Sequence, residues 1–363
     1  MTTLGRHIRL GTASMLSSAD GPFIDVEKLP MAKYAKRPTL AKTLCDYILY
    51  HDHNARKALE LAAAATVQAG YQDWWWKARL GKCYYQLGML REAEKQFKSA
   101  LRQQDMVETY LELAKVYMKL DQPNAALDTY MRGAEAFTGD PSMLVGMARV
   151  QEVMGDSDKS CALYKRVLAY DGAHVESIAC VAANHFYSDQ PEVALKYYRR
   201  LLQMGVLSSE LWNNLGLCCF YSGQYDMSLS CFERGLNLAS DESMADIWYN
   251  IGHVGIALGD LAMAYQCCKI AVSIDPHHAE ALNNLGVLEV RRGARDAGKV
   301  AFEAAHEADE GVYEAPYNAS LTAFRGGNFQ DAYNLVNKSL AIFGGHGDSQ
   351  VLLKELQEHF TLL

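Results

Sequence analysis

FYSDQPEVAL begins at Phe186 and FYSGQYDMSL at Phe220, 34 residues further on. NNLGL begins at Asn213 and NNLGV at Asn283, a gap of 70, or twice 34 plus two. A chain that repeats at this period builds small units that must stack, because one unit cannot bury its apolar face alone. Units start at Trp74, Val107, Pro141, Val175, Ser209, Ala245, Ala279 and Tyr313. Their eighth position reads Gly81, Ala114, Ala148, Ala182, Gly216, Gly252, Gly286, Ser320, and their twentieth Ala93, Ala126, Ser160, Ala194, Ser228, Ala264, Gly298, Ala332. Both columns hold only Ala, Gly or Ser. The twenty-fourth reads Phe97, Tyr130, Tyr164, Tyr198, Phe232, Cys268, Phe302, Val336.

These columns predict a helical hairpin. Small residues at positions 8 and 20 let two antiparallel helices approach closely, and the ring at position 24 fills the space between one hairpin and the next. Apolar residues recur at helical spacing, as in Leu80, Cys83, Tyr84 and Leu87. Turn signals fall between the helices: Leu87-Gly88, Asp121-Gln122-Pro123, Asp189-Gln190-Pro191, Gly259-Asp260. Pro123 and Pro191 stand where a second helix starts, where their missing N–H costs little.

The pattern resembles the tetratricopeptide repeat (TPR), which implies an all-α, right-handed superhelical solenoid of antiparallel helix hairpins. Eight units cover residues 73–346. Residues 39–72 read as a degenerate TPR-like hairpin, with Ala58 at position 20 but Asp46 at position 8. Residues 347–363 hold a C-terminal capping helix, carried by VLLKELQEHF. The 209 unit is 36 residues long, with the extra pair near Ser240-Asp241. Residues 1–38 have no helical period and read as an irregular N-terminal arm, either a tail or a segment that docks in a groove through Phe23, Ile24 and Val26.

Composition narrows the function. The chain carries 35 Lys and Arg against 43 Asp and Glu, a net charge of −8. That is a poor match to nucleic acid, which needs a basic stripe. No apolar run is long enough to span a bilayer, and MTTLGRHIRLGTASML does not read as a secretory signal. The nine cysteines include no C-x-x-C pair and read as small apolar residues of a reducing compartment. No nucleotide-binding, hydrolase or metalloprotease motif occurs, so enzyme chemistry, metals and cofactors are not expected. His51, His53, His277 and His278 fall at turns and read as solvated.

Three features are candidates for partner contact. Trp74, Trp75 and Trp76 together cover most of a helix's circumference, so one of them faces solvent or a partner unless all three cover a hairpin junction. Acidic residues recur at position 2 (Glu108, Glu176, Glu210, Asp246, Glu280, Glu314), where first-turn carboxylates complement the helix dipole. Asparagine recurs at position 6 as Asn214, Asn250, Asn284 and Asn318. A planar amide can donate and accept to a peptide backbone at once.

The segments RLGTASML, DWWWKARLGKCYYQLGMLREAEKQFKSAL, NHFYSDQPEVALKYYRRLLQMG and NNLGLCCFYSGQYDMSLSCFERGL closely resemble the TPR subunits of the BBSome, the Bardet-Biedl syndrome family. That resemblance implies a non-enzymatic scaffold. Its expected partners are β-propeller subunits, a second TPR subunit and a small bridging subunit, with an Arf-like GTPase and ciliary membrane cargo engaged indirectly. The expected location is cytoplasm, centrosome or basal body, and cilium. Family members usually carry a further N-terminal hairpin and a linker before the RLGTASML stretch, so the chain reads as a short form. A generic TPR adaptor or co-chaperone is the alternative; a co-chaperone needs basic residues beside the groove asparagines, and these are not matched here.

Overall fold

The structure, a computed structural model, describes residues 26–362. Among the described residues it contains twenty α-helices, one 3-10 turn and no strand. They fall into two compact units divided between Ser177 and Ile178. In the first, antiparallel pairs are Pro38–Tyr50 with Ala55–Gln68, Trp74–Gln86 with Leu90–Leu101, Val107–Lys119 with Pro123–Ala136, and Ser142–Val153 with Ser157–Tyr170. In the second, Ser209–Tyr221 pairs with Tyr225–Leu236, Asp241–Leu258 with Leu261–Ile274, Ala279–Arg291 with Arg295–Ala308, and Glu314–Arg325 with Phe329–Ile342. The helix Val175–Tyr187 carries the boundary and precedes Pro191–Gln203. No helix among the described residues is long and apolar enough to cross a membrane.

The small-residue columns lie where the two helices of a hairpin cross. A Cβ added to Gly216 would stand 2.5 Å from the Phe232 ring, and one on Gly286 2.6 Å from Phe302. The position-24 ring therefore lies over position 8 of its own unit, which is more than the inter-hairpin filling expected from the sequence. Serine enters these columns three times: Ser228 Oγ donates to the Gly216 carbonyl at 2.8 Å and Ser320 Oγ to that of Ala332 at 2.8 Å, while Ser160 Oγ is buried without a partner among the described residues. The helix that follows the extra residue pair of the 209 unit starts early and runs to 18 residues, Asp241–Leu258. The last helix, Gly347–Leu362, lays Leu352 and Leu356 against Ala332 and Val336. Full burial of Leu356 contributes about 1.5–3 kcal/mol.

Each hairpin loop needs one left-handed residue. Gly88, Gly155, Gly223, Gly259, Gly293 and Gly327 supply it in six units, whereas Asp121 and Asp189 hold φ 56° and 57° at the same place. An L-residue there costs about 1–2 kcal/mol, somewhat less for Asp. Gly259→Ala is therefore expected to lower stability by about 1 kcal/mol, and Asp189→Gly to raise it. Equal urea midpoints for both variants and wild type would show that the loops do not constrain the hairpins.

Of the arm expected over residues 1–38, residues 1–25, including Phe23 and Ile24, lie outside the described residues. Val26–Lys28 forms the 3-10 turn and Met31–Tyr34 a short helix. Val26, Met31 and Ala35 are buried with Ile48, Leu61 and Trp76 in one core. In the hairpin of Pro38–Tyr50 the close approach to Ala58 is made by Cys45, whose Sγ lies 4.0 Å from the Ala58 carbonyl. Asp46 sits one residue on, turned outward to accept from Arg79 Nε at 2.8 Å.

Candidate functional site

The first helix of each hairpin presents position 6 on a face away from its partner helix, and this face has different chemistry in the two units. In the first it is ionic. Arg79 is held between Asp46 and Glu108, Lys82 reaches Glu108 and Glu112 at 3.6 Å, and Lys115 pairs with Glu112 at 3.0 Å. Glu176 accepts from Arg149 Nε at 2.6 Å, which holds its carboxyl below the ordinary range. Two position-2 carboxylates, Glu108 and Glu176, thus bridge neighbouring repeats in addition to complementing the helix dipole.

In the second unit the face is an amide wall. Asn250 Nδ2 donates to Asn213 Oδ1 at 2.9 Å, and Asn318 Nδ2 to Asn283 Oδ1 at 2.9 Å. Asn284 Nδ2 lies 3.3 Å from His253 Nε2. Asn214 lines a pocket of about 100 Å³ with Phe186, Tyr187 and Tyr198. Each bonded amide reaches back into the preceding repeat, and all four asparagines keep part of their surface in water. Beside Asn214 runs an aromatic ridge. Phe186 meets Tyr221 edge-on at 5.4 Å, and Tyr187 and Tyr221 are 86% and 65% exposed. Adjacent amide donors and open rings are what an interface needs to bind a peptide backbone and its side chains together.

The three tryptophans have separate roles. Trp76 is core, 2% exposed. Trp75 packs edge-on to Trp76 at 4.7 Å and lies under Lys42 and Arg79. Only Trp74 is left half-buried without such cover, so the cluster is mainly the junction between its own hairpin and the preceding one.

His278 is not a solvated turn histidine. It is 8% exposed and caps Ala279–Arg291, its Nδ1 accepting from Ala281 N–H at 3.3 Å. His51, His53 and His277 are exposed. Among the described residues no group of three or more His, Cys, Asp or Glu is placed to hold a metal.

His253, the acceptor for Asn284, is pushed below the ordinary histidine pKa of about 6.5 by burial beside Tyr249 and Phe220. The unfolded chain then binds a proton that the folded chain resists, so this contribution to stability is present above pH ~6.5 and lost as pH falls below it. A wild-type urea midpoint should fall more between pH 7.5 and 5.5 than that of His253→Gln. Parallel falls in the two proteins would remove His253 as the cause.

Two family models, both described as tetratricopeptide repeat, match, one at residues 209–242 and the other at 107–136 and 245–278. A solved structure described as the APC/C hetero-tetramer Cut9-Hcn1 aligns with 98% of this chain and 70% of its own at TM-score 0.55 and 13% identity, which supports the TPR solenoid fold alone. The bovine (Bos taurus) BBSome complex member BBS4 is 24% identical over 261 residues, 72% of this chain and half of that protein. Mouse (Mus musculus) tetratricopeptide repeat protein 8 is 51% identical over 360 residues, 99% of this chain and 70% of that protein. At that identity and coverage the repeats, the amide-bearing first helices and the final helix all fall inside one alignment, and the chain belongs to the tetratricopeptide repeat protein 8 family.

Proposed function

We propose that this chain is a non-enzymatic scaffold subunit of the BBSome, the coat-like complex that moves membrane proteins to and from the cilium and supports ciliogenesis. The observation that carries the reading is 51% identity to the mouse relative along 99% of this chain. Likeness to a protein named as a BBSome complex member supports it. It acts by protein–protein contacts with propeller subunits, the second TPR subunit and the small bridging subunit. An Arf-like GTPase and membrane cargo are engaged through the complex. Its place is the cytoplasm, the basal body and the cilium, peripheral to the membrane.

The amide wall of Asn214, Asn250, Asn284 and Asn318 is the contact surface on this reading, with Trp74 as a smaller one. Two features of the chain's chemistry favour a scaffold. Burial pushes the thiols of Cys83 and Cys218 up to about 12, so they are protonated and poor nucleophiles at neutral pH. The basic residues Arg79 and Lys82, which a chaperone-binding groove would offer to a carboxylate, are already held by Asp46, Glu108 and Glu112.

Affinity purification of the tagged chain from ciliated cells, read by mass spectrometry, tests the assignment. Propeller and bridging subunits are expected at near-stoichiometric yield. Chaperones in their place would overturn it in favour of a co-chaperone.

A further inference from the structure

On the opposite face of the same hairpin, away from the asparagines, lies a cleft of about 470 Å³. It is formed by Pro191–Gln203, Ser209–Tyr221 and Tyr225–Leu236, and its floor is Leu195, Leu202, Trp212 and Leu215. Met227, 56% exposed, stands at its edge. Arg199 and Arg234 also line it, both exposed, with the Arg234 guanidinium 4.9 Å over the Trp212 ring. Among the described residues no carboxylate pairs with either arginine, although Asp226 lies on the same rim.

The repeat supplies an internal control. Three units further on, the equivalent groove of about 420 Å³ is lined by Arg295, Asp296, Lys299, Glu303, Asp331 and Lys338. Its charges balance, and Lys299 lies 3.9 Å from Glu303. Stacked hairpins therefore leave a groove at this place as a matter of geometry, but they do not require it to be apolar or to carry surplus positive charge. The cleft at Trp212 is both, on a chain whose net charge is −8.

We propose that this cleft is a second binding site, for a short acidic segment of a partner protein that inserts one large apolar side chain against Trp212 and sets carboxylates on Arg199 and Arg234. The volume lies within the range of small-ligand pockets, enough for one or two such side chains. The arginines match carboxylate geometry and, exposed at the rim, give salt-sensitive recognition. The site is independent of the asparagine wall and of BBSome membership.

The test uses the full chain and a fluorescein-labelled peptide with a central leucine–phenylalanine pair flanked by two glutamates on each side. Fluorescence anisotropy should show saturable binding that weakens roughly tenfold or more when Arg199→Glu and Arg234→Glu are combined. Met227→Glu, at an exposed position, should weaken it similarly without changing the circular dichroism spectrum. Arg295→Glu with Lys299→Glu, in the balanced groove, should leave binding unchanged. Equal binding of a lysine-flanked peptide, equal loss in the balanced-groove variant, or no binding below about 1 mM would each overturn the proposal. So would a dimer by light scattering that Met227→Glu dissociates, because the cleft would then hold a second copy of this chain.

Discussion

Ala194→Phe is expected to unfold its hairpin at temperatures where wild type is intact. Ala194 and Ala182 are both 0% exposed, at positions 20 and 8 of one unit. At the matching crossing of the next unit, a single methyl on Gly216 would already stand 2.5 Å from Phe232. A benzyl group there must push two helices apart. Overpacking costs about 1–3 kcal/mol for the first extra methylenes and more for a ring. Because each repeat is stabilised mainly by its neighbours, loss of one hairpin also exposes the apolar faces beside it. Ala194→Ser is the control. Ser228 occupies this column and donates to a carbonyl across the crossing, so serine should be tolerated within about 1 kcal/mol. Thermal melts by circular dichroism separate the cases. If Ala194→Phe melts like wild type, the crossing is not at these columns.

That column was legible in the sequence because a crossing point excludes every large side chain, and exclusion leaves a mark that one sequence can show eight times. Loop geometry was legible for the same reason: six glycines mark the left-handed position, and Asp121 and Asp189 mark it in combination with a following Gln-Pro. In the hairpin of Pro38–Tyr50 the close approach falls one residue before the position that the repeat spacing gives, since Cys45 is small enough for the crossing and does not look different from a core cysteine elsewhere. The burial of Val26 and Met31 was hidden because three-residue and four-residue helices are too short to show a period.

The site was legible in composition and not in connectivity. Four asparagines at one repeat position can be counted, but the partners of Asn250 and Asn318 lie at position 5 of the preceding unit, 37 and 35 residues away. Nothing in the spacing distinguishes such a bond from one within the repeat or to a ligand. The role of His278 is hidden in the sequence because a turn position suggests solvent, whereas an imidazole Nδ1 can cap a helix as serine does. His174, with Ser177 N–H at 3.2 Å, caps in the same way, so the shared D-x-x-H spacing before each helix was an available signal.

Replacing Asn214, Asn250, Asn284 and Asn318 together by Ala is expected to leave the chain helical and reduce its affinity for the groove-bound partner by tenfold or more. Each net hydrogen bond to a peptide contributes about 0.5–1.5 kcal/mol, so four amount to about 2–6 kcal/mol. The structure adds a stability term to this experiment. Three of the four amides reach Asn213, His253 and Asn283 of a neighbouring repeat, and losing those bonds lowers the melting temperature as well. Stability loss alone therefore does not decide between a binding wall and a structural one. Asn213→Ala with Asn283→Ala does. It removes two acceptors while keeping the amides of Asn250 and Asn318, and frees those amides for a ligand. A binding wall predicts that this double variant loses stability but keeps its partner, whereas the quadruple variant loses both. Whichever subunit the affinity purification recovers serves as the ligand, titrated below the melting temperature of every variant. Full affinity in the quadruple variant would mean that the asparagines do no more than hold adjacent repeats in register.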